Sequence, residues 1–202
     1  MSSATTFALV RHGQTEWNAG MRSQGRSDIP LNETGRGQAI AAVGALKSYD
    51  WDFVVSSPLS RAAETADLIA DGLGLSVTQR MPALVERDYG LAEGLSAGAE
   101  LDALREPGGL TGNGGFRGAE PEEDVADRGV DALRMLASDS PGARIIVVSH
   151  GTLIRLSLIR ILDRPIPTIV NAALTVAQSG PDGWTLDVLN GDILEPVFAG
   201  PV

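Results

Sequence analysis

The chain has 202 residues, of which 43% are hydrophobic and 21% charged, and this balance predicts a single domain over residues 1–202 with a sizeable core. Its net charge of −10 argues against nucleic acid and anionic membranes as partners. The absence of cysteine excludes disulfides, thiolate nucleophiles and cysteine metal sites. The chain carries no membrane-spanning segment or export signal, so we expect a soluble, cytoplasmic protein.

Lys47 is the only lysine in the chain. A P-loop requires a lysine beside its glycine-rich turn, and Schiff-base chemistry requires a buried one, so neither is expected. All other cationic side chains are arginines. Arginine is suited to bidentate binding of phosphate or carboxylate groups, which makes an anionic ligand the natural expectation.

Apolar runs and helical periodicity alternate along the chain and predict an α/β fold with a mostly parallel sheet. The predicted strands cover residues 5–10, 53–56, 76–79 at a sheet edge, and 144–148. The chain closes on a predicted hairpin formed by residues 172–177 and 184–189.

Helices are predicted between these strands from their start signals and apolar spacing. The first begins at Thr34, and the next uses Ser57 as N-cap with Pro58 at its first position. Three further helices are expected at residues 97–105, from Pro121 onward with Val125, Leu133 and Leu136 facing the core, and at 152–162 before Pro165 and Pro167. The glycine-rich stretch 107–118 is expected to be a mobile loop or lid that follows no strand.

The two histidines of the chain share one setting, at the end of a predicted strand and directly before a glycine. Arg11 and His12 end the first strand, and His150 follows the strand at 144–148. Arg61 lies in the first turn of a predicted helix, where its charge opposes the helix dipole unless an anion binds there. Considered singly, each histidine could be a structural residue with no role in a site, and Arg61 could be a surface arginine that points away from it. Ligand crevices lie at the carboxyl ends of parallel strands, so the shared setting favours one site.

Two arginines and two imidazoles at one point require an anion, and a phosphoryl group fits that demand best. One imidazole would act as nucleophile and form a phosphohistidine that water hydrolyses. The leaving oxygen would then need a proton from a carboxylic acid, which this reasoning does not identify among the acidic residues. A two-histidine metal site is less favoured, because no cluster of acidic ligands accompanies the pair.

Four segments together resemble the histidine phosphatase superfamily, which includes cofactor-dependent phosphoglycerate mutases and many phosphatases. They are LVRHGQTEWN at 9–18, SSPLSRAAETA at 56–66, VERDYGLAEGL at 85–95 and VVSHGT at 147–152. Their order and spacing match the family from Leu9 to about Leu162. The resemblance implies a three-layer α/β/α sandwich of the phosphoglycerate mutase type that requires no metal and no cofactor.

The resemblance also implies roles for individual residues. His12 would be the phosphorylated nucleophile, Glu86 the proton donor, and Arg11, Arg61 and His150 the phosphate pocket. The further binding positions that it implies are Asn18, Gln24, Gly25, Tyr89, Gly151 and Thr152.

Within the superfamily, the sequence favours a phosphatase over a mutase. Ala97 stands where mutases carry a lysine, and the mutases' adjacent arginine pair has no counterpart, since Arg105 and Arg117 are isolated. Without these cations a bisphosphate would not be retained, and the phosphohistidine would be hydrolysed. A cofactor-dependent mutase is the alternative reading, and an inactive phosphate-binding protein is less favoured because no implied catalytic residue is missing. The expected partner is a small phosphorylated metabolite, and the resemblance also allows a homodimer.

Overall fold

The computed structural model describes residues 4–112 and 115–199, with side chains up to residue 194. The strands are β1 Thr5–Arg11, β2 Phe53–Ser56, β3 Val77–Arg80, β4 Arg105–Glu106, β5 Gly115–Phe116, β6 Arg144–Ser149, β7 Leu174–Gly180, β8 Gly183–Leu189 and β9 Asp192–Ala199. The α-helices are α1 Glu16–Ala19, α2 Glu33–Leu46, α3 Ser60–Leu73, α4 Ala99–Asp102, α5 Glu122–Asp139 and α6 Gly151–Leu162. Short 3₁₀ helices cover Pro82–Leu84 and Gly90–Ala92.

Seven strands form one sheet in the order β3-β2-β6-β1-β7-β8-β9. The first four of these are parallel to one another. The last three continue the sheet antiparallel, through the predicted hairpin of β7 and β8 and then through β9, which the sequence analysis did not identify. The prediction of an α/β fold around a parallel core is therefore confirmed.

Helices cover both faces of the sheet. Alternate residues of a strand point to opposite sides, and the apolar residues on each side are buried by these helices. Val54 of β2 and Ile146 of β6 pack with buried residues of α2 and α3. Their neighbours Val55 and Val147 belong to the second core cluster, which is completed by α5 and α6. These two clusters make the three predicted layers, with the expected residues of α5 facing the core: Val125, Leu133 and Leu136.

Several predicted helix boundaries are wrong by a few residues. Helix α2 begins at Glu33 because the side chain of Asn32, and not Thr34, accepts the capping hydrogen bond from Gly35 N at 2.8 Å. Helix α3 begins at Ser60, so Ser57 and Pro58 precede it. Helix α4 has four residues where 97–105 was expected. Helix α6 ends at Leu162 as predicted, but the residue that ends it is Asp163, which adopts a left-handed conformation before Pro165 is reached.

The carboxyl ends of β1, β6 and β2 lie side by side at one edge of the sheet. Arg11 is in register with Ser149, and Ser56 is in register with Val148. The segments that follow these three strands are those on which the sequence analysis placed its histidines and Arg61. Among the described residues, no helix is long and apolar enough to cross a membrane.

The crossing of α5 and α6 depends on a glycine. A Cβ at Gly129 would lie 2.0 Å from Ser157 Oγ, whereas a Cβ at Gly37 of α2 would meet nothing within 4 Å. We expect Gly129→Ala to lower the free energy of unfolding by about 1–3 kcal/mol through overpacking. Gly37→Ala, the matched control, should raise it by up to about 1 kcal/mol through helix propensity. Urea unfolding of both variants checks this, and equal shifts would contradict the packing argument.

Candidate active site

The imidazole of His12 is held in one tautomer by two hydrogen bonds. Its Nδ1 lies 2.7 Å from the carbonyl oxygen of Gly13, to which it donates. Arg61 Nε, 3.2 Å away, donates to His12 Nε2, so Nε2 carries a lone pair and no proton. His12 is only 3% exposed. Burial first, and then the charges of Arg61 and Arg11, lower the pKa of His12 well below its usual range. The ring is therefore neutral, with its unprotonated nitrogen Nε2 facing Arg61.

Arg61 is completely buried at the start of α3, and neutral carbonyl groups hold its side chain. Its Nη1 donates to Ser27 O at 2.9 Å, and its Nη2 donates to Gly25 O at 2.7 Å. Burial lowers the pKa of Arg61, an effect that the charge of Glu86 partly offsets. Because Arg61 has no hydrogen bond or ion pair to an acid in the described part of the chain, its charge is available to a bound anion.

His150 lies next to His12, with ring centroids 5.1 Å apart and ring planes at 61°. Its Nε2 shares a hydrogen bond of 2.8 Å with Ser57 Oγ, so Ser57 supports this histidine instead of capping α3 as predicted. Its Nδ1 has no partner among the residues that the structure describes. Burial first, and then the charge of Arg61, lower the pKa of His150 well below its usual range.

Arg11 leaves the end of β1 and donates from Nη1 to Ile169 O at 2.8 Å. Its Nε has no partner within residues 4–112 and 115–199. Burial lowers the pKa of Arg11, and the charge of Glu86 works in the opposite direction. Gly151 gives this side chain its space, since a Cβ there would come within 3.2 Å of Arg11 Nε.

Glu86 reaches the amino-terminal end of α6, as expected for an acid at the mouth of the site. Its Oε2 accepts from Thr152 N at 3.0 Å, and its Oε1 accepts from Leu153 N at 3.0 Å and from Arg87 N at 2.9 Å. The positive end of the helix thus holds the carboxyl group. From behind, Arg128 donates to the carbonyl oxygens of Val85 and Glu86 and so fixes the backbone of this segment.

Tyr89 also meets α6, where its hydroxyl lies 2.6 Å from Thr152 Oγ1. Burial is the main reason that the pKa of Tyr89 rises to about 12, so the phenol stays neutral. Arg87 lies over its ring at 5.5 Å from the centroid. The two predicted binding residues Tyr89 and Thr152 are thus in direct contact.

Asn18 and Gln24 form a second wall of the site. Gln24 Oε1 accepts from Asn18 Nδ2 at 2.9 Å and from Thr15 Oγ1 at 2.8 Å. Gln24 Nε2 is buried and has no partner in the described segments. Gly25 differs from its predicted role, since it does not line the cavity and contributes its carbonyl group to Arg61. A Cβ at Gly25 would collide with the side chain of Glu93, at 2.2 Å from Oε1.

A cavity of about 310 Å³ opens between these groups. Predicted residues in its lining are Arg11, Asn18, Gln24, Glu86, Tyr89, Gly151 and Thr152. His12, Arg61 and His150 are buried next to this lining and do not form part of it. Lining residues that no prediction named individually are Arg22, Ser23, Phe116, Arg155, Thr168 and Ile169. Arg155 could have been found from helical spacing, since it lies four residues after Gly151.

The glycine-rich stretch 107–118 follows the short strand β4 and contains β5, which corrects the expectation that it follows no strand. Strand β4 precedes it and pairs with β5. Thr111 N donates to Glu122 Oε2 at 2.8 Å, and Glu122 forms a buried ion pair with Arg87 at 3.2 Å. The loop is thereby tied to the segment that carries Glu86. Asn113 and Gly114 lie outside the described residues, and a function as a lid stays a prediction.

Among residues 4–112 and 115–199, no group of three or more histidine, cysteine or acidic side chains could hold a metal ion.

Comparison with known proteins agrees with this arrangement. The sequence profile of the histidine phosphatase superfamily (branch 1) matches residues 7–192. A metal-independent phosphoserine phosphatase of Arabidopsis thaliana is 34% identical over 92% of this chain and 81% of its own length. A probable phosphoglycerate mutase, GpmB, of Cronobacter sakazakii is 35% identical over 78% of this chain and 74% of its own.

Among solved structures, the mycobacterial glucosyl-3-phosphoglycerate phosphatase superposes with a TM-score of 0.80 at 30% identity. The match covers 94% of this chain and all of that one, at 100%. The match of the family profile over almost the whole chain agrees with the sandwich fold and with the site at the strand ends. The chain therefore belongs to the histidine phosphatase superfamily and is an enzyme of the phosphatase type.

Proposed function

We propose that the protein is a metal-independent phosphomonoesterase that hydrolyses small phosphate monoesters through a phosphohistidine on His12. The observation that carries this proposal is the unprotonated Nε2 of His12, which accepts a hydrogen bond from Arg61 beside a cavity containing Glu86. A buried neutral imidazole is a competent nucleophile, and the neighbouring arginines supply the positive charge that a phosphoryl group requires.

The first chemical step transfers the phosphoryl group to His12. The bound phosphate monoanion first passes its proton to Glu86, whose carboxylate three N–H groups hold in the free site. Nε2 then attacks phosphorus, the bond between phosphorus and the ester oxygen breaks, and Glu86 donates this proton to the leaving oxygen. Arg11, Arg61 and His150 stabilise the charge on the three equatorial oxygens as it develops. His12 Nδ1 keeps its proton and donates it in a hydrogen bond to Gly13 O, and this bond stabilises the cationic ring of the phosphohistidine.

The second step releases phosphate. Water attacks phosphorus, the bond between nitrogen and phosphorus breaks, and the carboxylate of Glu86 takes a proton from the water. This returns His12 to its neutral form and protonates Glu86. The proton then leaves with the released phosphate, which completes the cycle. Asn18, Gln24, Tyr89, Gly151 and Thr152 contact the substrate around this reacting centre.

The substrate that fits this cavity is a small phosphorylated metabolite. A volume of about 310 Å³ accommodates a compact organic phosphate, and it is enclosed by loops on several sides. We do not expect nucleic acid or membranes as partners, in view of the net charge of −10. A homodimer and a cytoplasmic location remain expectations that follow from the family resemblance and the composition.

The position of the isolated arginines supports phosphatase over mutase activity. Arg105 forms an exposed ion pair with Asp102 and lies over the ring of Phe116 at 5.5 Å. Neither Arg105 nor Arg117 lines the cavity. A cofactor-dependent phosphoglycerate mutase is the alternative, because Arg22 and Arg155 do line the cavity and bring cations to it from other segments.

The proposed activity is tested by turnover of p-nitrophenyl phosphate and of 3-phosphoglycerate in the presence of EDTA. We expect phosphate release from p-nitrophenyl phosphate at an unchanged rate when EDTA is added, and no 2-phosphoglycerate from 3-phosphoglycerate. Rapid formation of 2-phosphoglycerate that depends on 2,3-bisphosphoglycerate would establish the mutase instead. Loss of activity with EDTA would contradict the metal-independent mechanism.

Replacement of the nucleophile gives a sharper prediction. His12→Ala should reduce kcat by more than about 1000-fold on every ester, because removal of a nucleophile abolishes the covalent route. Acid-quenched samples of the wild type, but not of the variant, should carry phosphate on histidine when mixed with substrate. Substantial turnover by His12→Ala would show that another group attacks phosphorus.

Replacement of the proton donor should depend on the leaving group. Glu86→Gln should slow hydrolysis of an alkyl phosphate by about 100-fold or more, and that of p-nitrophenyl phosphate by less than about tenfold, because p-nitrophenolate leaves without a proton. Steady-state kcat on both esters measures the difference. Glu123→Gln, the same change at an exposed position of α5, serves as control. Equal slowing of both esters by Glu86→Gln would assign Glu86 a structural role only.

A further inference from the structure

Arg155 lines the cavity without a counter-charge of its own. It lies on α6, is half-buried, and its Nε is shielded from solvent with no hydrogen-bond partner among the described residues. Arg87 with Glu122 and Arg128 with Glu120 show the pairing with an acid that Arg155 lacks. Arg164 is also half-buried with an unpartnered Nε, but it does not line the cavity. A guanidinium that loses water without gaining a partner is costly, which points to a ligand.

The helix places Arg155 at a definite distance from the reacting centre. It follows Gly151 by four residues and Thr152 by three, so it shares their face of α6 one turn further along, about 5–6 Å away along the axis. Gly151 contacts Arg11, and Thr152 N binds Glu86. A group bound at Arg155 would therefore lie beyond the phosphoryl group, on the part of the substrate that leaves.

The arginines of the cavity carry more positive charge than one phosphoryl group neutralises. Arg11, Arg22 and Arg155 line it, Arg61 lies buried beside it, and Glu86 is the single acid in the described lining. With Glu86 protonated, as the proposed mechanism requires, a phosphoryl dianion offsets the charges of Arg11 and Arg61. Arg22 and Arg155 then remain, in a protein whose overall charge of −10 repels anions elsewhere.

We infer that the substrate carries a second anionic group, a carboxylate or a second phosphate, on the leaving part of the molecule, and that Arg155 binds it. This inference rests on the proposed function, because it takes the phosphoryl group to lie at His12. It narrows the substrate to small phosphomonoesters with an anionic alcohol portion. Arginine presents two parallel N–H donors to such a group, which makes the contact bidentate. Arg22, an exposed residue that also lines the cavity, adds positive charge.

Competitive inhibition of p-nitrophenyl phosphate hydrolysis tests the subsite with matched ligands. 3-Phosphoglycerate has a carboxylate where racemic glycerol 1-phosphate has a hydroxymethyl group. 2,3-Bisphosphoglycerate is 3-phosphoglycerate with a second phosphate. For the wild type we expect at least one of the two ligands with a second anionic group to bind about 10- to 100-fold more tightly than glycerol 1-phosphate, as a charged hydrogen-bonded pair provides. Preference for 3-phosphoglycerate identifies the second anion as a carboxylate, and preference for the bisphosphate identifies it as a phosphate.

Variants of Arg155 connect this preference to the residue. Arg155→Gln should remove most of the difference between the ligands while changing the binding of glycerol 1-phosphate far less, and Arg155→Lys should restore part of it. Arg144→Gln is the matched control, since it removes the same charge from an exposed side chain at the opposite end of β6. It should keep the wild-type preference.

Two results would overturn the inference while the proposed function stands. They are equal inhibition by all three ligands in the wild type, and an equal loss for all three in Arg155→Gln, each with p-nitrophenyl phosphate still hydrolysed. If the wild type releases no phosphate from any ester, the proposed function fails. In that case, calorimetry of the same three ligands with the wild type and with Arg155→Gln tests whether Arg155 binds a second anionic group. The comparison of affinities is the one described for inhibition.

Discussion

The buried guanidinium of Arg61 is the constraint on which the site depends. Its Nε binds the nitrogen of His12 that would attack phosphorus, and its other two nitrogens are held by the carbonyl oxygens of Gly25 and Ser27. Neutral acceptors satisfy the hydrogen-bonding capacity of arginine without cancelling its charge. Burial first, and then this charge, lower the pKa of His12 and keep the ring unprotonated in the absence of substrate, and the same charge attracts the phosphoryl group.

The loop that provides these carbonyl groups is itself held by an acid. Glu93 accepts hydrogen bonds from the backbone N–H groups of Arg26 and Ser27, at 2.7 and 2.8 Å, and from the hydroxyl of Ser27. Burial acts in the opposite direction, but these hydrogen bonds lower the pKa of Glu93, so the carboxylate stays charged. Glu93 thus acts on the site through the position of Gly25 and Ser27, in the same segment of the chain that carries Glu86.

Helix α6 has a similar organising role on the other side of the cavity. Its first turn holds Glu86 by two N–H groups and Tyr89 by the hydroxyl of Thr152, and its next turn carries Arg155. Because α6 follows directly on β6, its amino-terminal end lies at the sheet edge where His12 and His150 meet. One rigid element therefore orients the groups expected to handle the leaving oxygen and the groups expected to bind the rest of the substrate.

The sequence by itself determined the alternation of strands and helices, and the segments that place His12, Arg61 and His150 together. Apolar runs and helical spacing are local properties, and parallel strands bring their carboxyl ends to one edge whatever the details of packing. The identification of Glu86 among many acids required the family resemblance, since its environment is made by α6, far along the chain.

Only the tertiary structure decided which side chains line the cavity and which support it from behind. Arg22, Phe116 and Ile169 come from three separate segments, and no local pattern relates them. The sequence predicts Ser57 as a helix cap, but in the structure its hydroxyl binds His150. A serine hydroxyl can bind a helix N–H group or a side chain, and β6 brings the imidazole within reach. Such choices depend on distances between segments, which are set when the sheet and its two helical layers assemble.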